Sequence, residues 1–265
     1  MTNLPIPAEA LTPAVYIVGA GPGDPELLTL KAQRLLALAD VVVYANSLVP
    51  PQMLSSVRPE AERIGTANLT LEAILPLMID RVRSHKSVVR LHSGDPSLYS
   101  AIHEQMQALA AAEIPFEVVP GISAFQAAAA KLQVELTVPE LVQSIILTRI
   151  SGRTRVPPTE ELASLAAHRT SLCLYLSARH VAAAQTDLLA HYAADTPVAV
   201  CYRIGWPDEQ IWTVPLNQMA ELTARENLIR TTLYIISPAL VADPARSRLY
   251  SPGHDHLFRP RAETL

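Results

Sequence analysis

Cysteine is almost missing from this 265-residue chain: only Cys173 and Cys201 occur, far apart and in no CxxC pattern. That argues against a disulfide framework and against a cysteine zinc site, and it suits a reducing, cytoplasmic compartment. An excess of positive charge is missing too. Lys and Arg number 21 against 25 Asp and Glu, for a net charge of −4 and a pI near 6.1. Such a balance gives no electrostatic footprint for nucleic acid. No uncharged apolar stretch reaches the length of a membrane span. Residues 1–13 have neither a basic start nor an apolar run, and they carry Pro5, Pro7 and Pro13. They read as an N-terminal extension and not as a signal peptide. There is no repeat of solenoid length, and no Ser-His-Asp or Cys-His arrangement. What the chain does have is 49% hydrophobic and 17% charged residues. That is enough for a sizeable core in one large or two ordinary domains.

One stretch stands out, Val15-Tyr-Ile-Val-Gly-Ala-Gly-Pro-Gly-Asp-Pro-Glu-Leu-Leu-Thr-Leu-Lys31. Val15–Val18 is the apolar, β-branched and aromatic run of a buried strand. Gly19, Gly21 and Gly23 allow a turn and the close approach of a ligand. Asp24 suits a helix N-cap, with Pro25 at the first helical position. Three meanings stay open: a dinucleotide fingerprint, a different cofactor loop, or a tight turn. The fingerprint needs a third glycine where Asp24 stands. A carboxylate there repels a pyrophosphate and competes for the same N–H groups. A cofactor with positive charge fits Asp24 better.

The rest of the first half alternates strands and helices. Strands are predicted at Val41–Tyr44, Glu62–Gly65, Ser87–His92 and Phe116–Val119. Helices are predicted over Leu69–Arg83, where Pro76 implies a kink or a late start, over Leu98–Ala112, and up to Leu132. The alternation implies parallel βαβ crossovers. Ser93-Gly-Asp-Pro-Ser-Leu-Tyr99 is a second Gly-Asp-Pro at a strand end, and Pro120-Gly-Ile-Ser-Ala-Phe125 is a third strand-end loop. In open α/β sheets, ligands bind outside the carboxyl ends of the strands. Near 133–144 the pattern loosens, and a second domain is placed over 133–240. Its predicted strands are Ser144–Arg149, Ser171–Leu176, Pro197–Ile204, Gln210–Val214 and Thr231–Ser237. A turn at Gly205-Trp-Pro-Asp-Glu209 implies an antiparallel pair and a mixed sheet. Residues 241–265 lose periodicity and read as a mobile tail. His254, Asp255 and His256 there have no further ligands nearby, so no metal site is expected.

The motifs VYIVGAGPGDP, SGDPSLY and VPGISA resemble the cofactor loops of the tetrapyrrole methylase family, over about residues 14–240. Within it, Thr148-Arg-Ile-Ser-Gly-Arg-Thr-Arg-Val-Pro157 and Cys201-Tyr-Arg-Ile-Gly-Trp-Pro-Asp-Glu209 resemble the branch that methylates precorrin-4 or cobalt-precorrin-4 at C-11 in cobalamin biosynthesis. Arg155 departs from that branch, which more often has proline there. The resemblance implies two α/β domains, 14–132 and 133–240, with S-adenosylmethionine (SAM) in the cleft between them, S-adenosylhomocysteine (SAH) as product, and a homodimer. It implies cofactor contacts at Pro22, Ser93, Gly94, Asp95, Leu98, Ser123 and Ala124, and at Leu176, Ile204 and Thr232. The alternatives are another precorrin or uroporphyrinogen C-methyltransferase or, from a different class, a nucleotide-dependent oxidoreductase.

The tetrapyrrole substrate implied by the resemblance carries many carboxylates, which arginine grips in bidentate fashion. Candidates are Arg149, Arg153, Arg155 and Arg203, with Arg179 and His92 as further ones and Tyr99 against the macrocycle. Trp206 either packs on the macrocycle or holds its own hairpin. A sulfonium methyl is already activated, so positioning is the main catalytic task and no general base is obligatory. Asp24 and Asp95 are the carboxylates considered for polarising a pyrrole N–H; for Asp95 the competing role is a helix cap.

Overall fold

β1 (Val15–Gly19) is buried along its whole length, which requires neighbours on both edges and layers on both faces. In the computed structural model, which describes residues 10–152 and 154–241, it has all four. β4 (Val88–His92) pairs with it in parallel on one edge and β5 (Phe116–Val119) on the other. β2 (Val41–Tyr44) and β3 (Glu62–Gly65) continue the sheet beyond β4, giving a parallel sheet of order β3-β2-β4-β1-β5. α1 (Leu30–Leu38) starts where Thr29 Oγ1 accepts the Ala32 N–H at 3.1 Å. It buries Ala32, Leu35 and Leu36 with Tyr16, Val18, Val42, Val89 and Leu91 on one face. The other face, with Val15, Ile17, Val41, Val43 and Val88, packs with Ile74, Met78 and Val82 of α2 (Leu71–Arg83) and Leu109 of α3 (Ile102–Ala111). α4 (Ala124–Leu132) follows β5.

Two expectations are corrected. α2 does not start late at Pro76; it runs from Leu71 through the proline. One missing N–H costs a single ladder bond, and the buried stripe on both sides of it keeps the helix in place. α3 starts at Ile102 and not at Leu98. Tyr99 (φ 54°) and Ala101 (φ 49°) are left-handed, a conformation that interrupts a right-handed helix.

Left-handed side-chain residues also close the helices. After α2 the Lys86 N–H reaches Arg81 O at 3.0 Å and the His85 N–H reaches Val82 O at 2.9 Å. After α3 the Ile114 and Glu113 N–H groups repeat this on Leu109 O and Ala110 O. These are Schellman closures, usually built on glycine. Here His85 (φ 60°), Glu113 (φ 58°) and, after α4, Gln133 (φ 56°) fill that place. The chain has only nine glycines, and four of them meet at the strand ends described below.

The second unit has its own mixed sheet, order β6-β7-β10-β8-β9. β6 (Ile145–Arg149) and β7 (Ser171–Tyr175) are parallel. β10 (Thr232–Ile236) is antiparallel to β7 and to β8 (Pro197–Tyr202), and β9 (Gln210–Pro215) lies at the edge beside β8. α5 (Leu162–Ala166), α6 (Val181–Leu189) and α7 (Met219–Arg225) supply Leu162, Ala184, Leu188, Met219 and Leu222 to a core centred on Leu172, Leu174, Val198, Val200 and Tyr234. Cys173 and Cys201 are buried in this sheet, and burial pushes the Cys173 thiol up to about 12. The division between units falls inside α4, at Ala128–Ala129, and Arg203–Gln210 clusters with the first unit. No helix among the described residues is long and apolar enough to cross a membrane. The segment from residue 242 onward, with His254, Asp255 and His256, lies outside the described residues, as do residues 1–9.

Candidate functional site

β4 and β1 are neighbours, yet their connections leave in opposite directions. β1 leads through α1, on one face of the sheet, towards β2; β4 leads through α3, on the other face, to β5. This divergence is a topological switch point, where the loops separate and leave a crevice outside the carboxyl ends of the strands. The loops that begin there, 20–24 and 93–98, are two of the three singled out in the sequence. The third, 120–124, follows β5 on the other side of β1.

The backbone ties these loops together. Gly21 and Gly94 form a two-bond bridge, Gly94 N–H to Gly21 O at 2.8 Å and Gly21 N–H to Gly94 O at 3.1 Å. A Cβ on Gly19 would lie 2.6 Å from Gly121 N and 2.8 Å from Gly94 O, and one on Gly121 would lie 2.9 Å from Gly19 Cα. Such distances leave no room for any side chain, so three segments touch main chain to main chain.

Asp95 fastens the same junction. Its Oδ2 accepts the Gly121 N–H at 2.8 Å, and its Oδ1 accepts the Ser97 N–H at 2.9 Å and the Ser97 hydroxyl. Burial works to raise its carboxyl, but the hydrogen bonds from Ser97 and Gly121 outweigh it and hold the group below its usual 3.8. Asp95 is therefore an ionised tie between two loops as well as a local cap. Asp24 is an N-cap: its Oδ1 accepts the Glu26 N–H at 2.9 Å at the head of the short 3-10 turn Pro25–Leu27. Ser123 is buried at the head of α4, where the Gln126 side chain accepts its N–H at 2.9 Å. That is half of a capping box.

The other cofactor candidates of the first unit surround this junction in sequence. Pro22 is buried in the first loop, Leu98 is half-buried in the second, and Ala124 opens α4. Tyr99 is exposed and left-handed. Ile204 is buried within the segment that clusters with this unit. Arg203 forms an ion pair with Asp208, and its guanidinium sits 4.9 Å from the centroid of the Trp206 ring. Of the two roles open to Trp206, the structure shows a packing one, although the ring packs beyond its own hairpin. A Cβ on Gly23 would meet Trp206 Cδ1 at 2.6 Å.

In the second unit Leu176 is 67% exposed and left-handed at φ 53°. An apolar side chain facing solvent from a conformation disfavoured by about 1–2 kcal/mol has two costs and no local benefit. Such residues cluster at ligand clamps. Thr232 is buried, its Oγ1 donating to Arg230 O at 3.1 Å. Arg149 donates to Thr154 O at 2.9 Å and to Arg155 O at 3.2 Å. It shapes its own loop before it can reach a ligand. Arg155 and Arg179 are exposed, and Arg153 lies outside the described residues.

One buried group, Arg90, went unread in the sequence, where only its strand neighbour His92 was singled out. Arg90 and His92, both 7% exposed, share one face of β4. Arg90 donates to Thr66 Oγ1 at 3.1 Å, and burial lowers its guanidinium to about 10. Burial, with the nearby Arg90 charge, lowers His92 to about 3. His92 is then neutral at pH 7 and carries no standing charge for a carboxylate. A basic residue inside the apolar run Ser87–His92 was the available signal.

Residues 14–220 match the model of the Tetrapyrrole (Corrin/Porphyrin) Methylases. The chain is 45% identical to a precorrin-4 C(11)-methyltransferase of Pseudomonas aeruginosa, over 93% of this chain and 98% of that one. It is 42% identical to a cobalt-precorrin-4 C(11)-methyltransferase of Priestia megaterium, over 92% and 97%. Among solved structures it is similar to a cobalt precorrin-4 methyltransferase, with a TM-score of 0.83, 41% identity and coverage of 87% and 96%. It is also similar to a uroporphyrin-III C-methyltransferase from Thermus thermophilus complexed with S-adenosyl homocysteine, with a TM-score of 0.72, 29% identity and coverage of 86% and 98%.

Proposed function

The chain belongs to the tetrapyrrole methylase family, and on that premise we propose that it transfers a methyl group from SAM to C-11 of precorrin-4, or of cobalt-precorrin-4, during corrin-ring construction for cobalamin. The names of the similar proteins, at 42–45% identity over nearly the whole chain, support the ring position. The observation that carries the chemistry is the junction of three strand-end loops at the switch point, closed by glycine backbone and an ionised Asp95.

That junction suits SAM better than a dinucleotide. Residues 19–24, 93–98 and 120–124 contain no lysine or arginine, and Asp24 already takes the N–H group that a phosphate would need. A sulfonium and an α-ammonium gain from such surroundings, whereas a pyrophosphate is repelled. We assign the cofactor contacts of the first unit to Pro22, Ser93, Gly94, Asp95, Leu98, Ser123, Ala124 and Ile204. Bound there, SAM supplies a methyl group already activated on sulfur. The chain's own task is then geometric. Backbone groups of 93–95 and 121–123 hold the cofactor, Asp95 keeps those two loops in register, and Tyr99 is placed for the macrocycle. Because Asp95 stays ionised and engaged, it acts by position and not as a proton carrier.

Thermal shift tests the cofactor class: SAH is expected to raise the melting temperature, following ligand linkage, and NAD is not. A shift with NAD alone sinks the reading. Incubation with precorrin-4 and SAM is expected to add one methyl by mass, mapped to C-11 by NMR. Gain at another carbon moves the protein to a neighbouring methylase. We further place it in the cytoplasm, as a homodimer whose mass sedimentation of the purified protein tests.

A further inference from the structure

The turn Arg203-Ile-Gly-Trp-Pro-Asp-Glu209 clusters with the first unit although it leaves the end of β8. It is tied to itself at several points. The Trp206 N–H donates to Arg203 O at 2.9 Å, the Glu209 N–H to Trp206 O at 3.1 Å, and the Gly205 N–H to Glu209 Oε2 at 2.6 Å. The Arg203–Asp208 ion pair adds a further tie, and the same guanidinium lies 4.9 Å from the centre of the indole. The turn is therefore stiff without help from elsewhere.

Its stiff face presses on the first glycine loop. Gly205 (φ +82°) has no room for a Cβ, which would lie 2.8 Å from Asp24 N and 3.1 Å from Gly23 N. Gly23 (φ +142°) has none either, because a Cβ there would meet Trp206 Cδ1 at 2.6 Å and Gly205 C at 3.2 Å. The indole fills the space that a side chain on Gly23 would take. Gly23 O accepts from Gln52 Nε2 at 3.1 Å on a different segment, so the loop is held at this residue by two separate parts of the unit. Trp206 Nε1 is buried with no hydrogen-bond partner among the described residues. The ring is held by shape and by the cation, not by its N–H.

We propose that Trp206 is a positioning residue: clamped under Arg203, it fixes the Gly21–Asp24 loop in one conformation and so presents Pro22 to the cofactor. The role in cofactor binding rests on the methyltransferase reading, whereas the clamp itself does not. A loop built on two positive-φ glycines has many conformations when free, and each of them must be given up on binding unless one is fixed beforehand. Arg203, considered in the sequence as a substrate clamp, is here the residue that holds the clamp's ring.

The test uses the full chain and the variants Trp206→Ala, Trp206→Phe and Gly23→Ala. Amide hydrogen exchange of the free protein reads the loop directly, over residues 19–28. Calorimetric titration with SAH reads the consequence. Trp206→Ala is expected to speed exchange in that segment and weaken SAH about tenfold, as misplacement of a positioning element does. Trp206→Phe is expected to restore most of both, since no hydrogen bond is lost. Gly23→Ala, which pushes the ring from the other side, is expected to reproduce Trp206→Ala. A loop that exchanges like wild type in Trp206→Ala overturns the clamp. Faster exchange with unchanged SAH affinity overturns its role in binding. Should Trp206→Ala not fold, Trp206→Phe and Gly23→Ala decide the matter by the same two readouts. If the wild-type protein itself binds no SAH, the methyltransferase reading fails, and the exchange data still judge the clamp. With Trp212→Phe as background, Trp206 is the sole tryptophan, and SAH is expected to change its emission; an unchanged spectrum counts against the contact chain through Pro22.

Discussion

The strand-end loops of the first unit and the arginine loop of the second are built on opposite plans. At 19–24, 93–98 and 120–124 the chain removes side chains and lets main chain meet main chain, with one carboxylate as fastener. At 149–155 it keeps long side chains and turns one of them, Arg149, back onto the carbonyls of its own loop. The first plan gives geometry with little tolerance for change. The second gives a loop held largely by side chains, Arg149 on the carbonyls of Thr154 and Arg155 and Ser151 between Glu161 and the Val156 N–H, with Arg155 left exposed at its surface. The difference suits a rigid cradle in one place and an adaptable charged surface in the other.

The sharpest way to break the comparison is to add a methyl group to the cradle. Gly121→Ala is expected to cost about 3 kcal/mol, the upper range for overpacking, because the neighbours that must move are Gly94 and Gly19 backbone. Urea denaturation measures it, and a change near zero means the junction is looser than drawn. Asp95→Asn is the next largest. It replaces a charged acceptor of three hydrogen bonds, for a loss of about 1.5–3 kcal/mol. The folded value of Asp95 is lowered, so its contribution is complete above the unfolded value and disappears as pH falls through the folded one. The stability gap between wild type and Asp95→Asn is therefore expected to be flat near neutral pH and to close below about pH 4. A gap that widens on acidification contradicts the assignment.

On the other side of the comparison, Arg149→Ala is expected to loosen 150–156 in hydrogen exchange while costing about 1 kcal/mol or less overall. Arg155→Ala is expected to leave stability and SAH affinity alone and to raise the KM for the tetrapyrrole several-fold. The smallest effect belongs to neither loop. Glu113→Gly and Gln133→Gly relieve left-handed backbone at exposed helix ends. The relief of about 1–2 kcal/mol is largely offset by the entropy of glycine, about 0.5–1 kcal/mol. The net gain of about 0.5 kcal/mol each would appear as a slightly higher melting temperature.

Much of the cradle was legible because its signals are local. Buried parallel strands read as apolar runs, and Gly-x-Gly and Gly-Asp-Pro mark turns wherever they stand. The helix at 102 was misplaced because Tyr99 and Ala101 adopt a conformation that neither residue type announces. Arg149 was visible as a charge, but not as a charge already engaged, since its partners are carbonyls and every residue carries one. The meeting of Trp206 with Gly23 has no local trace. It depends on a fold that brings together residues at opposite ends of the sequence, and a short-range pattern contains nothing of that.

The placement of the two thiols has a practical consequence. Both cysteines lie in the second sheet, and the segments forming the first unit contain none. With Cys173 buried and its thiol raised to about 12, an alkylating reagent finds almost no thiolate while the sheet is closed. The rate of labelling then counts openings of the second sheet alone. The chain thus carries a built-in clock for one of its halves and is silent about the other.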